Sequence, residues 1–63
     1  MNVIVKYGEI DQNIYGCVVV TPDHFVVKKT EYTPDRGEAK RIARRLYNHY
    51  RVHGVAARVE MVD

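Results

Sequence analysis

The residues of this chain that could perform chemistry are few, and none forms a recognisable catalytic pair. Cys17, the only cysteine, lies in an apolar run without a catalytic signature, so we expect a small buried thiol. His49 and His53 are four residues apart, a spacing that places two metal ligands on one helical face. The glutamate of the zinc-protease pattern is missing, and a third ligand would have to come from elsewhere. The sequence therefore predicts a protein that is not an enzyme and that holds no metal or cofactor.

A stronger chemical signal is the concentration of positive charge between Asp35 and His53. This segment holds six Lys/Arg residues against two carboxylates, whereas the other residues hold four Lys/Arg against six carboxylates. The net charge of +2 therefore conceals a marked separation of charge within the chain. Five of the six cations are arginine, whose planar guanidinium suits two-point contact with phosphate or carboxylate. We expect an anionic partner, either nucleic acid or an acidic protein surface.

Helical periodicity separates this segment into an apolar stripe and a basic outward side. The stripe comprises Ala39, Ile42, Ala43, Leu46 and Tyr50. The predicted partner-binding residues point away from it, with Lys40, Arg44 and Arg51 along one shoulder, Arg41 and Arg45 along the other, and Asn48 between them. Such a side can also be a solvated surface whose arginines cover apolar atoms and pair with nearby acids. The binding interpretation is favoured because the interleaved glutamates that normally neutralise a helix face are missing.

The helix boundaries carry clear signals. At the start, either Thr33 caps the helix with Pro34 in the first position, or Asp35 caps it with Glu38 closing a capping box. At the end, Gly54 is placed to adopt the left-handed conformation. We therefore expect one helix between these residues, packed across one face of a sheet.

Four predicted strands make up that sheet. Alternating or β-branched apolar residues predict strands at 2–7, 14–20, 25–32 and 55–61, with a polar turn region at 8–13 and a proline turn at 21–24. Gly16, inside the second strand, indicates either a bulge or the close approach of another group. The fold class is α+β, one domain over residues 1–63 in the order β-β-β-α-β. The sheet is antiparallel except that the last strand returns parallel to the third, beside the first strand or at the third strand's free edge.

Size and hydropathy limit the setting in which the chain works. A domain of 63 residues buries only about 60% of the surface that its unfolded chain exposes, so dimerisation would be a natural supplement to its stability. No apolar run approaches the roughly 18 residues of a membrane span, and the N-terminus lacks the features of a signal peptide. The single cysteine fits a reducing compartment. We expect a cytoplasmic protein without a membrane segment.

Two functions from different classes are compatible with these features. The first is a nucleic-acid-binding module in which the helix cations contact phosphates, and Tyr15 or Tyr32 on an uncovered sheet face stacks on bases. The five tyrosines equally suit the aromatic part of a core. The second is a small inhibitor or adaptor of the phage type, whose basic helix or exposed strand edge docks on an acidic host surface such as RNA polymerase or a nuclease complex.

The layout of strands followed by a helix that begins T-P-x-x-x-E-A, at Thr33 to Ala39, resembles sheet-plus-helix DNA-binding modules such as the arm-binding domains of integrases. The strands lack the Trp/Arg pattern of those modules, and a fourth strand follows the helix. The resemblance is one of layout and implies DNA binding as its expectation. The size and element order are also similar to those of small phage inhibitors.

Overall fold

The computed structural model describes residues 2–62 and has the predicted order of three strands, one helix and a final strand. The elements are β1 (Asn2–Asp11), β2 (Ile14–Val20), β3 (Val26–Lys29), α1 (Arg36–Val52) and β4 (Ala56–Val62). The strand order in the sheet is β3-β2-β1-β4. The first three strands are antiparallel neighbours, and β4 runs parallel to β1 and hence to β3. Of the two predicted positions for the last strand, the one beside the first strand is therefore occupied.

The β1–β2 hairpin is longer than the sequence pattern predicts. Residues 8–11, predicted as part of a polar turn, continue β1, with Gly8 opposite Gly16 and an irregularity in register between Glu9 and Asp11. The chain reverses at Gln12–Asn13, and Asn13 adopts a left-handed φ of 58°, which asparagine tolerates better than most residues. Polar side chains at the solvated end of a hairpin do not oppose strand pairing. The polar composition of residues 8–13 therefore predicted a turn that begins too early in the chain.

The third strand is shorter than predicted. The proline turn forms, with the His24 N–H donating to the Thr21 carbonyl over 2.8 Å, but only Val26–Lys29 of the predicted 25–32 segment is a strand. A register shift opposite Val19 and Val20 interrupts its ladder with β2. Beyond it, Thr30 donates to the Cys17 carbonyl of β2, and Tyr15 and Thr33 form an isolated bridge. The apolar residues of the 25–32 segment predicted a longer strand. All four residues of β3 are instead exposed at the edge of the sheet.

The helix begins after Asp35, the second of the two predicted caps. The Asp35 side chain accepts a hydrogen bond from the Gly37 N–H over 2.9 Å. The capping box does not close, because the Asp35 N–H donates to Thr33 Oγ1 while the Thr33 hydroxyl donates to Glu38. The predicted end is confirmed, with Gly54 at a left-handed φ of 78°.

The core lies between α1 and one face of the sheet. Its sheet residues are Val3, Val5, Tyr7, Cys17 and Val19, and its helix residues are Ala39, Ala43 and Leu46. Both alanines are fully buried, which fits a helix that approaches the sheet closely. No helix in the described part of the chain covers the other face. There Gly16 is covered by the side chains of Ile10 and Tyr32, so the predicted close approach at this glycine is confirmed.

The last strand is less buried than its alternating pattern predicts. Ala57 is half-buried on the helix side, but Val59 and Met61 on the same side are 37% and 58% exposed. β4 is an edge strand of the sheet, and the exposure of its helix-side residues rises from Ala57 to Met61. Its far end meets β1 at Gly8, where a Cβ atom would overlap the carbonyl oxygen of Val62. None of the described helices is long and apolar enough to cross a membrane.

Candidate nucleic-acid interface and adjoining groove

Cys17 is a core residue, as expected. It is 3% exposed and packs among the buried side chains between the sheet and α1. Burial raises the pKa of its thiol above the usual value of 9.0, and a hydrogen bond involving Thr30 offsets this only in part. The protonated thiol is a weak nucleophile, so the position offers no chemistry at neutral pH.

The two helix histidines do come together at the end of α1. The ring centroids of His49 and His53 are 4.5 Å apart, and His49 also meets the Tyr50 ring edge-on at 5.5 Å. Within residues 2–62, no group of three or more His, Cys, Asp or Glu side chains is arranged to hold a metal ion. The pair is accounted for by ring contacts and by the favourable position of histidine near a helix C-terminus.

All six predicted partner-binding residues are exposed on α1. The structure divides them into two groups and one outlier. We call Arg41, Arg45 and Asn48 the outer face, because they lie on the side of the helix away from the sheet. Lys40 and Arg44 instead border a groove between α1 and β4. Arg51, near the helix end, lies over the Tyr47 ring at 5.8 Å from its centroid.

Few carboxylates neutralise these cations. Arg41 approaches Asp35 at 3.9 Å, with both side chains largely exposed, so that the pair contributes little. No carboxylate among the described residues forms an ion pair with Lys40, Arg44 or Arg45. The alternative in which these cations pair with acids on the strands is therefore not found for Lys40, Arg44 or Arg45 within residues 2–62. The positive charge of these three side chains remains available to an external anion.

The groove beside β4 is a feature that the sequence pattern did not reveal. It has a volume of about 390 Å³ and is lined by Tyr7, Lys40, Arg44, Tyr47, Ala57, Arg58 and Val59. The lining residues that were not predicted as site residues are Tyr7, Tyr47, Ala57, Arg58 and Val59. The strand alternation predicts burial for Tyr7, Ala57 and Val59, and Tyr47 borders the apolar stripe of α1. The signal available in the sequence was the row Lys40, Arg44, Tyr47 and Arg51, whose spacing puts an aromatic ring among three cations on one side of the helix.

The two tyrosines considered for base stacking lie in different places. Tyr15 packs against the core on the helix side of the sheet, and the Arg36 guanidinium lies 5.1 Å from its ring centroid. The prediction that Tyr15 lies on the uncovered face is therefore wrong, since residues 15, 17 and 19 share the helix-facing side of β2. Tyr32 is 61% exposed and lies over Gly16 on the open side.

Comparison of the chain with family models, with curated proteins and with solved structures finds no match.

Proposed function

We propose that the protein is a non-enzymatic binding module that binds nucleic acid through the outer face of α1. The observation that supports this proposal is the exposure of Arg41, Arg44 and Arg45, of which only Arg41 approaches a carboxylate within residues 2–62. Nucleic-acid backbones carry closely spaced negative charges, and neutralising them releases condensed counterions, which drives binding.

The spacing of the outer face suits a phosphate backbone. Arg41 and Arg45 are four residues apart, so their Cα atoms are separated by about 6 Å along the helix axis. Their guanidinium groups can contact phosphates in succession along one strand, and each can donate two hydrogen bonds to a phosphate. Asn48 lies about one turn further, where its amide can donate to a phosphate or a base edge. Lys40 and Arg44 on the adjoining side add to the positive field.

The test is a charge reversal on the outer face. We expect Arg41→Glu/Arg45→Glu to keep the helical circular-dichroism spectrum of the parent, because both side chains are exposed. Its affinity for a fluorescein-labelled 20-base-pair DNA duplex and for a single strand of equal length, measured by anisotropy, should fall at least about 10-fold. For the parent, log K should fall with log salt concentration with a slope of about −0.9 for each phosphate contacted in the duplex.

The matched control is Lys28→Glu/Lys29→Glu, which changes the net charge equally on two exposed residues of β3. Its affinity for both oligonucleotides should stay within about 3-fold of the parent. The substitutions change the long-range electrostatic field but no residue that contacts the nucleic acid. If the outer-face variant folds and binds both oligonucleotides as tightly as the parent, the proposal is wrong. An acidic protein surface, the other expected partner, becomes the better assignment if the parent binds neither oligonucleotide at low salt.

A further inference from the structure

The two edges of the sheet differ in how well they are protected from pairing with another strand. β3 has four residues, a register shift and two exposed lysines, all of which discourage strand addition. β4 is a seven-residue strand that pairs with β1 in unbroken register from Ala56 to Val62. Among the strands of residues 2–62, none pairs with its outer backbone groups, because β4 ends the sheet. The β4 edge is therefore open to a further strand.

The groove provides a place for the side chains of such a strand. It runs between the β4 edge and α1, with Ala57 and Val59 on its strand side and Tyr47 on its helix side. Val59 is partly exposed, and Met61 further along the same side is 58% exposed. A strand added to β4 would direct alternate side chains towards these apolar groups, because side chains alternate across a sheet. This is the geometry of peptide recognition by strand addition, in which the backbone ladder provides affinity and the pockets select side chains.

The charge of the groove identifies the kind of segment that fits. Its charged lining residues are Lys40, Arg44 and Arg58, all cations. Arg58 is paired with Glu60 at 2.9 Å, whereas no described carboxylate pairs with Lys40 or Arg44. A second copy of the chain, pairing through its own β4, would bring its Lys40 and Arg44 towards the same cations and be repelled. An acidic segment would instead be attracted.

We propose that β4 accepts an acidic, extended segment of another protein as a fifth strand, with alternate side chains in the groove between α1 and β4. This proposal goes beyond nucleic-acid binding by the outer face and does not depend on it. Lys40 and Arg44 hold the carboxylates of the segment, and Val59 and Tyr47 contact the apolar part of its side chains.

The test uses a nine-residue peptide of alternating glutamate and valine, titrated into the 15N-labelled full chain. We expect the largest amide shifts along β4 and at Lys40 to Tyr47, with β3 unaffected. A peptide of alternating lysine and valine should bind at least about 10-fold more weakly because its charge opposes that of the groove. A glutamate–valine peptide N-methylated at alternate backbone positions should lose binding, because it cannot complete the ladder.

Two charge-reversed variants separate this surface from the outer face. Lys40→Glu/Arg44→Glu should weaken binding of the acidic peptide at least about 10-fold. The matched pair Arg41→Glu/Arg45→Glu should leave peptide affinity within about 3-fold, since these residues lie outside the groove. Circular dichroism of both variants checks that they fold. Nucleic-acid affinity is measured on the same two proteins, so failure of either proposal is recognised independently of the other.

Several outcomes overturn the proposal. These are the absence of peptide-induced shifts in β4, equal binding of the lysine–valine or N-methylated peptide, and unchanged peptide affinity of a folded Lys40→Glu/Arg44→Glu variant. A dimer in sedimentation equilibrium that the acidic peptide does not dissociate, with concentration-dependent amide shifts in β4, would make a second copy the occupant. If a single-stranded oligonucleotide, and not the peptide, changes the amide shifts of β4, the β4 edge is a nucleic-acid site.

Discussion

Leu46 is the largest helix side chain in the buried core. It is 8% exposed and packs in the same cluster as Val5 and Val19 of the sheet. Leu46→Ala removes most of this contact and leaves a cavity, so we expect the free energy of unfolding to fall by about 2–5 kcal/mol. For a domain of this size, such a loss would leave little folded protein. Urea denaturation followed by circular dichroism measures the change.

The chain offers a control on the same helix. Val52 is 82% exposed, and Val52→Ala should change the free energy of unfolding by no more than about 0.5 kcal/mol. Equal stability of Leu46→Ala and the parent would contradict the assignment of the apolar stripe to the core.

At the scale of the element, α1 depends on its N-terminal cap. Asp35 accepts from the Gly37 N–H, and its negative charge lies at the positive end of the helix dipole. We expect Asp35→Ala to lower the free energy of unfolding by about 1 kcal/mol, because one N–H loses its side-chain acceptor. The measurement is the shift in urea midpoint at constant slope.

Two controls separate the cap from the charge. Asp35→Asn keeps an acceptor and should retain most of the stability, while Asp23→Ala removes a carboxylate from an exposed turn and should have little effect. If Asp23→Ala destabilises the protein as much as Asp35→Ala, the effect belongs to the net charge rather than to the cap.

At the scale of the whole molecule, the sheet order predicts unequal local stability. β1 is paired on both sides, and its Val3 and Val5 are 1% and 0% exposed. β3 has four exposed residues and one neighbour. We expect β1 amides to exchange with solvent hydrogen only through global unfolding, and β3 amides to exchange faster through local opening. Native-state hydrogen exchange measured by NMR tests this, and equal protection of the two strands would contradict the role of β1 as the stable centre.

Much of the local structure was predictable from the sequence. A continuous β-branched and apolar run located β2, and periodicity identified Leu46, Ala39 and Ala43 as buried. The end of α1 followed from Gly54, whose left-handed conformation is easily adopted by glycine. The concentration of cations in α1 also followed directly, because charge is a property of the residue types. These features depend on neighbours within a few positions along the chain, which a sequence pattern records.

Other features were decided by tertiary structure alone. Burial at β4 depends on how far α1 extends over the sheet, so the alternation of Val59 and Met61 predicted a buried face that is partly open. Helical periodicity already separates Lys40 and Arg44 from Arg41 and Arg45, but the groove along the first pair exists only because β4 lies beside β1. The position of Tyr15 on the helix side and the extension of β1 to Asp11 are likewise set by the register of β1 with β2. Strand order and register come from pairing between distant segments, and residue spacing within one segment carries no record of that pairing.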